Sequence, residues 1–75
     1  AASEDGLVYV VESFFDHLLV FDRSGRLLLP IGGTGHRPGQ FYLPSGVWAG
    51  SGGRVYVSDM FNGRVAVLQF LGGGL

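Results

Sequence analysis

Short apolar runs separated by turn-forming residues are the feature that most limits how this chain can fold. The clearest pair is Val55–Val57 and Val65–Leu68, whose β-branched and aromatic residues favour strands. Asp59, Asn62 and Gly63 lie between the two runs. These residue types favour tight turns because they bond to nearby backbone or tolerate positive φ. The sequence therefore predicts a β-hairpin centred on this turn.

Similar runs recur along the chain, and glycine or proline bounds most of them. We expect an all-β fold with antiparallel strands at residues 7–11, 17–22, 26–29, 45–49, 54–58 and 64–70. The third strand is predicted to stop at Pro30, and Pro44 is expected to stay outside a strand ladder, because proline has no N–H to donate. No helix-period pattern of useful length is present in the sequence.

These strands carry more apolar surface than 75 residues can cover. Leu7–Val11 and Leu18–Phe21 are apolar throughout, which is typical of strands buried on both faces. A chain near this length buries only about 60% of the surface that it exposes when unfolded. No cysteine is present to add a disulfide. We therefore expect neighbouring sheets, from further copies or from a larger assembly, to cover the remaining faces.

Charge and hydropathy restrict the partners. All five basic residues are arginines, they are scattered along the sequence, and the net charge is −1. This pattern lacks the basic face that nucleic acid requires. No apolar run approaches the roughly 20 residues of a membrane helix, and no signal-peptide pattern opens the sequence. We expect self-association or other protein chains as partners, and neither nucleic acid nor a membrane.

An internal repeat emerges when the sequence is shifted against itself by 47 residues. The matched pairs include Gly6 and Gly53, Tyr9 and Tyr56, Glu12 and Asp59, Phe14 and Phe61, and Val20 and Val67. A period of this size is typical of solenoids and propellers, and strands with glycine turns favour a propeller. Ala1 and Ala2 fall on Trp48 and Ala49, so the chain is expected to begin within one blade and to end within the next.

Four motifs follow one another in the second repeat. They are Pro38-Gly39-Gln40-Phe41, Leu43-Pro44-Ser45-Gly46-Val47, Val55-Tyr56-Val57-Ser58-Asp59 and Asn62-Gly63-Arg64-Val65. In order and spacing they closely resemble the NHL repeat of six-bladed β-propellers, with its Gly-x-Phe, Pro-x-Gly-Ile/Val, Tyr-Val-x-Asp and Asn-x-Arg-Val/Ile elements. The first copy departs from that pattern, because Glu12 replaces the Asp, Phe15 the Asn and His17 the Arg.

The resemblance implies a single partial propeller unit over residues 1–75. We expect its parts to be a first blade at about 1–31, a connecting loop at 32–44, a second blade at about 45–71 and a Gly-rich tail at 72–75. Positions matching Asp59, Asn62 and Arg64 are usually structural in the family. We interpret these three residues as a structural turn and charge pair.

Three aromatic residues are candidates for contact with a partner. Phe14, Phe15 and Phe61 are predicted to lie at turn tips, where a packed core is less available. Loops at one end of a propeller commonly form its binding surface, and exposed apolar patches mark partner sites. Core packing is the alternative for aromatic residues in general.

The sequence predicts no catalytic, cofactor-binding or metal site. His17 and His36 lie far apart, without the clustered ligands of a zinc site. The glycine-rich residues 32–39 lack the Gly-Lys-Ser/Thr ending and the following helix of a phosphate loop. The acidic residues near the first turn lack calcium-loop spacing and are expected on a solvated surface; they are Glu4, Asp5, Glu12 and Asp16.

We expect a non-catalytic protein- or ligand-binding scaffold, part of an NHL-like propeller that oligomerisation or a larger assembly completes. Three copies would supply six blades, within the common range of four to eight, although the strand order hinders closure. The alternative is a fragment of a propeller enzyme, a metal-dependent lyase or esterase-like hydrolase, whose catalytic residues lie on other blades. The resemblance includes extracytoplasmic proteins and so favours that location.

Overall fold

Two three-stranded antiparallel sheets form the described part of the chain, residues 1–3 and 6–69 of a computed structural model. The first sheet contains β1 (Val8–Glu12), β2 (His17–Phe21) and β3 (Leu27–Gly32), in that order. The second contains β4 (Pro44–Ala49), β5 (Arg54–Asp59) and β6 (Arg64–Gln69), in that order. Two single 3₁₀ turns, Ser51–Gly53 and Met60–Asn62, flank β5.

The predicted all-β fold is confirmed, and so is the antiparallel pairing of the hairpin strands β5 and β6. Some parts of the prediction lie outside the described residues: the end of the last strand at residue 70, the end of the second blade at 71 and the tail at 72–75.

The prediction that proline ends the third strand is wrong. β3 continues through Pro30, which pairs with Leu19, and reaches Gly32. β2 is the neighbour of β3 in this sheet, so the missing N–H can point away from the ladder, where no hydrogen bond is lost. Pro44 is likewise inside a strand, as the first residue of β4, and a register shift follows it before Gly46. A strand's first residue is one of the places where a sheet tolerates proline.

The repeat seen in the sequence is also a repeat in strand register. The five residue pairs that join β1 to β2 run from Val8 with Phe21 to Glu12 with His17. Adding 47 to each number gives the β5–β6 pairs from Val55 with Leu68 to Asp59 with Arg64. Ala2 bridges Val8 in the position where Ala49 pairs with Val55. The chain therefore builds the same hairpin twice, with a strand segment on the same side of each.

The core lies between the two sheets. Its buried members are Tyr9, Leu18 and Val20 of the first sheet, Val55 and Val57 of the second, and Phe41 of the connecting segment. Burial on both faces, which the apolar runs predicted, is not found within one chain. Tyr9 is buried, whereas the next residue, Val10, is 41% exposed. Two sheets can cover only one face of each other, so the outward faces remain apolar and open.

Candidate interaction surface

Two turns bring aromatic side chains to one end of the sheets. The first turn joins β1 to β2 and presents Phe14, which is 84% exposed, and Phe15, which is 63% exposed. Their rings lie edge to face with centroids 4.7 Å apart. The Glu12 carboxylate accepts hydrogen bonds from the backbone N–H groups of Phe14 and Phe15, at 3.0 and 3.1 Å. One carboxylate therefore fixes the backbone from which both rings project.

The second turn, Met60–Asn62, presents Phe61, which is 65% exposed. Gly63 ends this turn with φ of 63°, in the left-handed region that glycine enters without strain. The ring of Phe61 stacks on that of Tyr42 with centroids 5.0 Å apart. The backbone N–H of Phe61 donates to the Tyr42 carbonyl at 3.1 Å. Phe61 is thus held against the segment that leads into β4.

That segment, residues 41–44, lies between the two turns and joins them. Ser13 Oγ of the first turn donates to the Pro44 carbonyl at 2.7 Å. The Leu43 N–H donates to Asp16 Oδ1 at 3.0 Å. These bonds place Phe14, Phe15, Tyr42, Met60 and Phe61 at the same end of the molecule. All five side chains are exposed there, and we call them the aromatic tip.

Two of these linking residues have unusual backbone geometry. Asp16 and Leu43 have positive φ values of 60° and 49°. They are the non-glycine residues with positive φ in the described part of the chain. Such conformations cost free energy and persist where surrounding bonds hold them, often at functional sites. Asp16 supplies those bonds, because its carboxylate also accepts from Thr34 Oγ1 at 2.7 Å. The prediction that Asp16 lies on a solvated surface is wrong, because the folded chain buries this residue.

Asp59, Asn62 and Arg64 come together beneath the second turn. The Asp59 carboxylate is fully buried. Its Oδ2 accepts from Asn62 Nδ2 and Arg64 Nε, both at 2.9 Å, and its Oδ1 accepts from the Tyr42 N–H at 2.7 Å. Burial alone would raise the pKa of this carboxyl and is the largest single influence. The three sets of donors and the arginine charge outweigh it, so the pKa is lowered.

The remaining donors of Arg64 reach the connecting loop. Nη1 donates to the His36 carbonyl at 3.0 Å, and Nη2 donates to those of Gln40 and Arg37 at 2.8 and 3.3 Å. The planar guanidinium can serve several acceptors at once. Arg64 therefore links the buried carboxylate, the hairpin and the loop before β4.

The first repeat contains a weaker version of this arrangement. His17 Nδ1 lies 3.0 Å from Glu12 Oε1, and these residues occupy the positions of Arg64 and Asp59. The pKa of Glu12 is lowered, chiefly by the hydrogen bond from the Phe15 N–H, with further help from the His17 ring. The departures of the first copy from the repeat pattern therefore keep a paired acid at the turn.

Acid should weaken the fold through Asp59. Because its pKa is lower in the folded chain, the ionised carboxylate stabilises the fold fully above its unfolded pKa of about 3.9, and this contribution is lost as the pH falls below that value. We expect the contribution of this group to the free energy of unfolding, measured with urea, to be constant above about pH 5 and to decrease as the pH is lowered from there to about 2.

An Asp59→Asn variant is the control for this pH dependence. It should be less stable than the parent near pH 6 and should lose less stability on acidification, because the titrating group is gone. Glu12 and Asp22, whose pKa values are also lowered, remain in the variant and leave a residual slope. An unchanged slope in Asp59→Asn would contradict the role given to this carboxylate.

Other candidate groups do not converge. Within residues 1–3 and 6–69 no cluster of three or more His, Asp or Glu side chains could hold a metal ion. Of the four acidic residues weighed for calcium, Glu4 and Asp5 lie outside the described residues. The glycine-rich loop connects the sheets, with a parallel bridge between Thr34 and Phe41. An open depression beside it is lined by Pro38, Gly39, Phe41, Arg64, Ala66, Val67 and Leu68.

Comparison with known proteins found no matching family model and no matching curated protein. No helix in the described part of the chain is long and apolar enough to cross a membrane.

Three of the five aromatic-tip residues were predicted to lie at turn tips, and they are exposed there: Phe14, Phe15 and Phe61. Tyr42 precedes a strand and Met60 follows one, and neither position shows at the sequence level that its side chain reaches the turns. The signal that could have found Tyr42 is its place next to Phe41. Since Phe41 is in the core, its neighbour in an extended segment points to the opposite side.

Proposed function

We propose that this chain is a non-catalytic interaction scaffold of the NHL-like β-propeller type, which binds another protein chain through its aromatic tip. The observation that carries the proposal is the gathering of five exposed large apolar side chains at one end of two stacked sheets. Aromatic residues and methionine are enriched in protein interfaces. Phe14 and Phe61 also occupy equivalent positions of the repeat.

The tip is suited to binding because its backbone is held in place before a partner arrives. Glu12 fixes the first turn, and Asp59 fixes the segment carrying Tyr42. Ring stacking further restricts Tyr42 and Phe61. A surface that is already ordered loses less conformational entropy on binding, so more of the contact energy appears as affinity. Exposed aromatic anchors of this kind are typical of the residues that dominate interface energetics.

The NHL-like interpretation is supported by the motifs of the second repeat and by the shared hairpin register. The two turns also carry acidic residues with partners at matching positions. One turn has an Asp–Arg pair and an Asn, and the other has a Glu–His pair. In a propeller such turns of neighbouring blades lie at one end, which is where scaffolds of this kind bind their partners.

Site-specific photo-crosslinking tests the proposal. A photoreactive residue would replace Phe14 or Phe61 in the whole chain, and Ser24 would be the control. Ser24 is exposed in the turn between β2 and β3, at the opposite end of the sheet. We expect crosslinks to a partner protein from positions 14 and 61 and none from 24. Equal crosslinking from all three positions, or none from the tip, would exclude the aromatic tip as the contact.

Replacing the tip aromatics provides the quantitative prediction. In a variant with Phe14→Ser, Phe15→Ser and Phe61→Ser, affinity for the crosslinked partner should fall at least tenfold, since anchors of this type each contribute about 2 kcal/mol or more. The thermal midpoint should change little because the rings are outside the core. A Leu27→Ser variant, which removes an exposed apolar side chain elsewhere, is the matched control. It should bind the partner as the parent does.

A further inference from the structure

We infer that copies of this chain associate head to tail, with the outward face of the first sheet of one copy on the outward face of the second sheet of another. This inference rests on the proposed scaffold function and names the surfaces and the partner, a second copy. The inference is based on the strand register, which is the same in the two hairpins. Each face of the first sheet therefore has an equivalent face in the second sheet, made of the residues 47 positions later.

The faces are defined by their residues. The front face carries Tyr9, Leu18 and Val20 in the first sheet and, 47 residues later, Tyr56, Val65 and Val67 in the second. The back face carries Val8, Val10, Leu19 and Phe21 in the first sheet and Val55, Val57, Ala66 and Leu68 in the second.

Within one chain, the front face of the first sheet packs on the back face of the second. Tyr9, Leu18 and Val20 are buried together with Val55 and Val57 in one cluster. The contact joins two different faces, although the hairpins are repeats of each other. Such an arrangement is heterologous, and it leaves one unused face of each kind.

The unused faces are apolar and exposed. Val65 and Val67 are 54% and 61% exposed on the front face of the second sheet. Trp48, on the same face but across Tyr56, is 50% exposed. On the back face of the first sheet, Val10 is 41% exposed. Trp48 stacks on Tyr56 with ring centroids 5.3 Å apart, so the front face is ordered without a partner.

The unused faces have the chemistry of the pair that the chain already buries. On the front face, Tyr56, Val65 and Val67 stand where the first sheet has Tyr9, Leu18 and Val20. On the back face, Val8 and Val10 match Val55 and Val57, while Leu19 and Phe21 are larger than their counterparts Ala66 and Leu68. A second copy can therefore repeat the internal contact with side chains of the same kind. This match selects a second copy as the occupant.

A heterologous contact repeats until the assembly closes. Propellers with about four to eight blades are common, and each copy contributes two sheets, so closed rings of about two to four copies are expected. The association hides β-rich apolar surface that one copy leaves open.

Two single substitutions and their mixture test the inference. Val67→Lys alters only the unused front face, and Val10→Lys alters only the unused back face. The parent chain should sediment as an oligomer at about 100 μM, a concentration that saturates any contact with a dissociation constant of about 1 μM. Each variant alone should be monomeric. An equimolar mixture should form a 1:1 heterodimer, because one copy keeps an intact front face and the other an intact back face.

Several outcomes would overturn the inference. They are a monomeric parent, a variant that keeps the parent's mass, and a mixture that stays monomeric. The variants also distinguish head-to-tail contact from contact between two front faces. In the second case Val10→Lys alone would remain oligomeric, because its front face is unchanged. If the isolated variants are unfolded by circular dichroism, mixing should restore both the β spectrum and the 1:1 mass. Failure to restore them would count against head-to-tail contact.

The Phe14→Ser, Phe15→Ser, Phe61→Ser variant separates this inference from the proposed function. It should keep the parent's oligomeric mass, because the tip lies outside both unused faces. Loss of oligomer in this variant would contradict the assigned faces. A monomeric parent that still crosslinks through its tip would overturn head-to-tail association and leave the proposed function intact.

Discussion

An Arg64→Ala variant is expected to lose about 2–3 kcal/mol of unfolding free energy near neutral pH, less than the roughly 3–5 kcal/mol of a fully buried ion pair, because the Arg64 side chain is 33% exposed. The Asp59 carboxylate, which is fully buried with Arg64 against it, would lose its counter-charge. The carbonyls of His36 and Gln40 would also lose their donor. A domain of this length has on the order of 4–11 kcal/mol in total. If the parent lies near the low end of that range, little stability would remain in the variant.

Urea titration followed by circular dichroism measures this loss, and Arg26→Ala is its matched control. Arg26 pairs with Asp22 at 3.2 Å, but its side chain is largely exposed. Solvent screens such a pair, so removing it should change stability little. The deficit of Arg64→Ala should also shrink at about pH 3, where protonation of Asp59 removes the uncompensated charge. Equal losses in the two variants would show that Arg64 acts only as a surface residue.

Two features made the architecture predictable from the sequence. Strand runs such as Val55–Val57 and turn residues such as Asn62 and Gly63 act locally, so their effect can be read from neighbouring positions. The internal repeat, which matches Glu12 with Asp59, indicated that the chain contains two similar hairpins. In the structure the two hairpins have the same strand register, pair by pair.

The features that were missed depend on contacts between distant parts of the chain. Asp16 is buried because Leu43 and Thr34 donate to it, and neither is near it in the sequence. The strand through Pro30 depends on which strand lies beside β3. Neither the burial of Asp16 nor the continuation of the strand through Pro30 can be predicted from local propensity, because both depend on tertiary contacts.

The faces of the strands were also beyond local analysis. β1 and β2 are apolar on both sides, so their sequence has no period-2 pattern to separate front from back. Only packing against the second sheet makes Tyr9 buried and Val10 exposed. The absence of alternation nevertheless had a physical meaning, because it indicated two apolar faces before the structure assigned a partner to one of them.

A Gly32→Ala variant is expected to be strongly destabilising, because it adds a methyl group at the crowded end of β3. Gly32 has φ of 110°, and a Cβ there would lie 2.7 Å from a ring carbon of Phe41 and 3.0 Å from the Asp16 carbonyl oxygen. Phe41 is fully buried, so its ring has nowhere to move. Backbone strain of about 1–2 kcal/mol and overpacking of about 1–3 kcal/mol act together at this position.

Gly33→Ala isolates the backbone part of that loss. Gly33 has φ of 120°, but a Cβ there would meet no atom within 4 Å. Its thermal midpoint should fall by about 4–8 °C for each 1 kcal/mol of strain, and that of Gly32→Ala by clearly more. A Gly32→Ala/Phe41→Leu double variant should recover part of the difference, because the smaller side chain makes room for the added methyl group. Equal midpoints for the two single variants would mean that the Phe41 ring does not lie against Gly32.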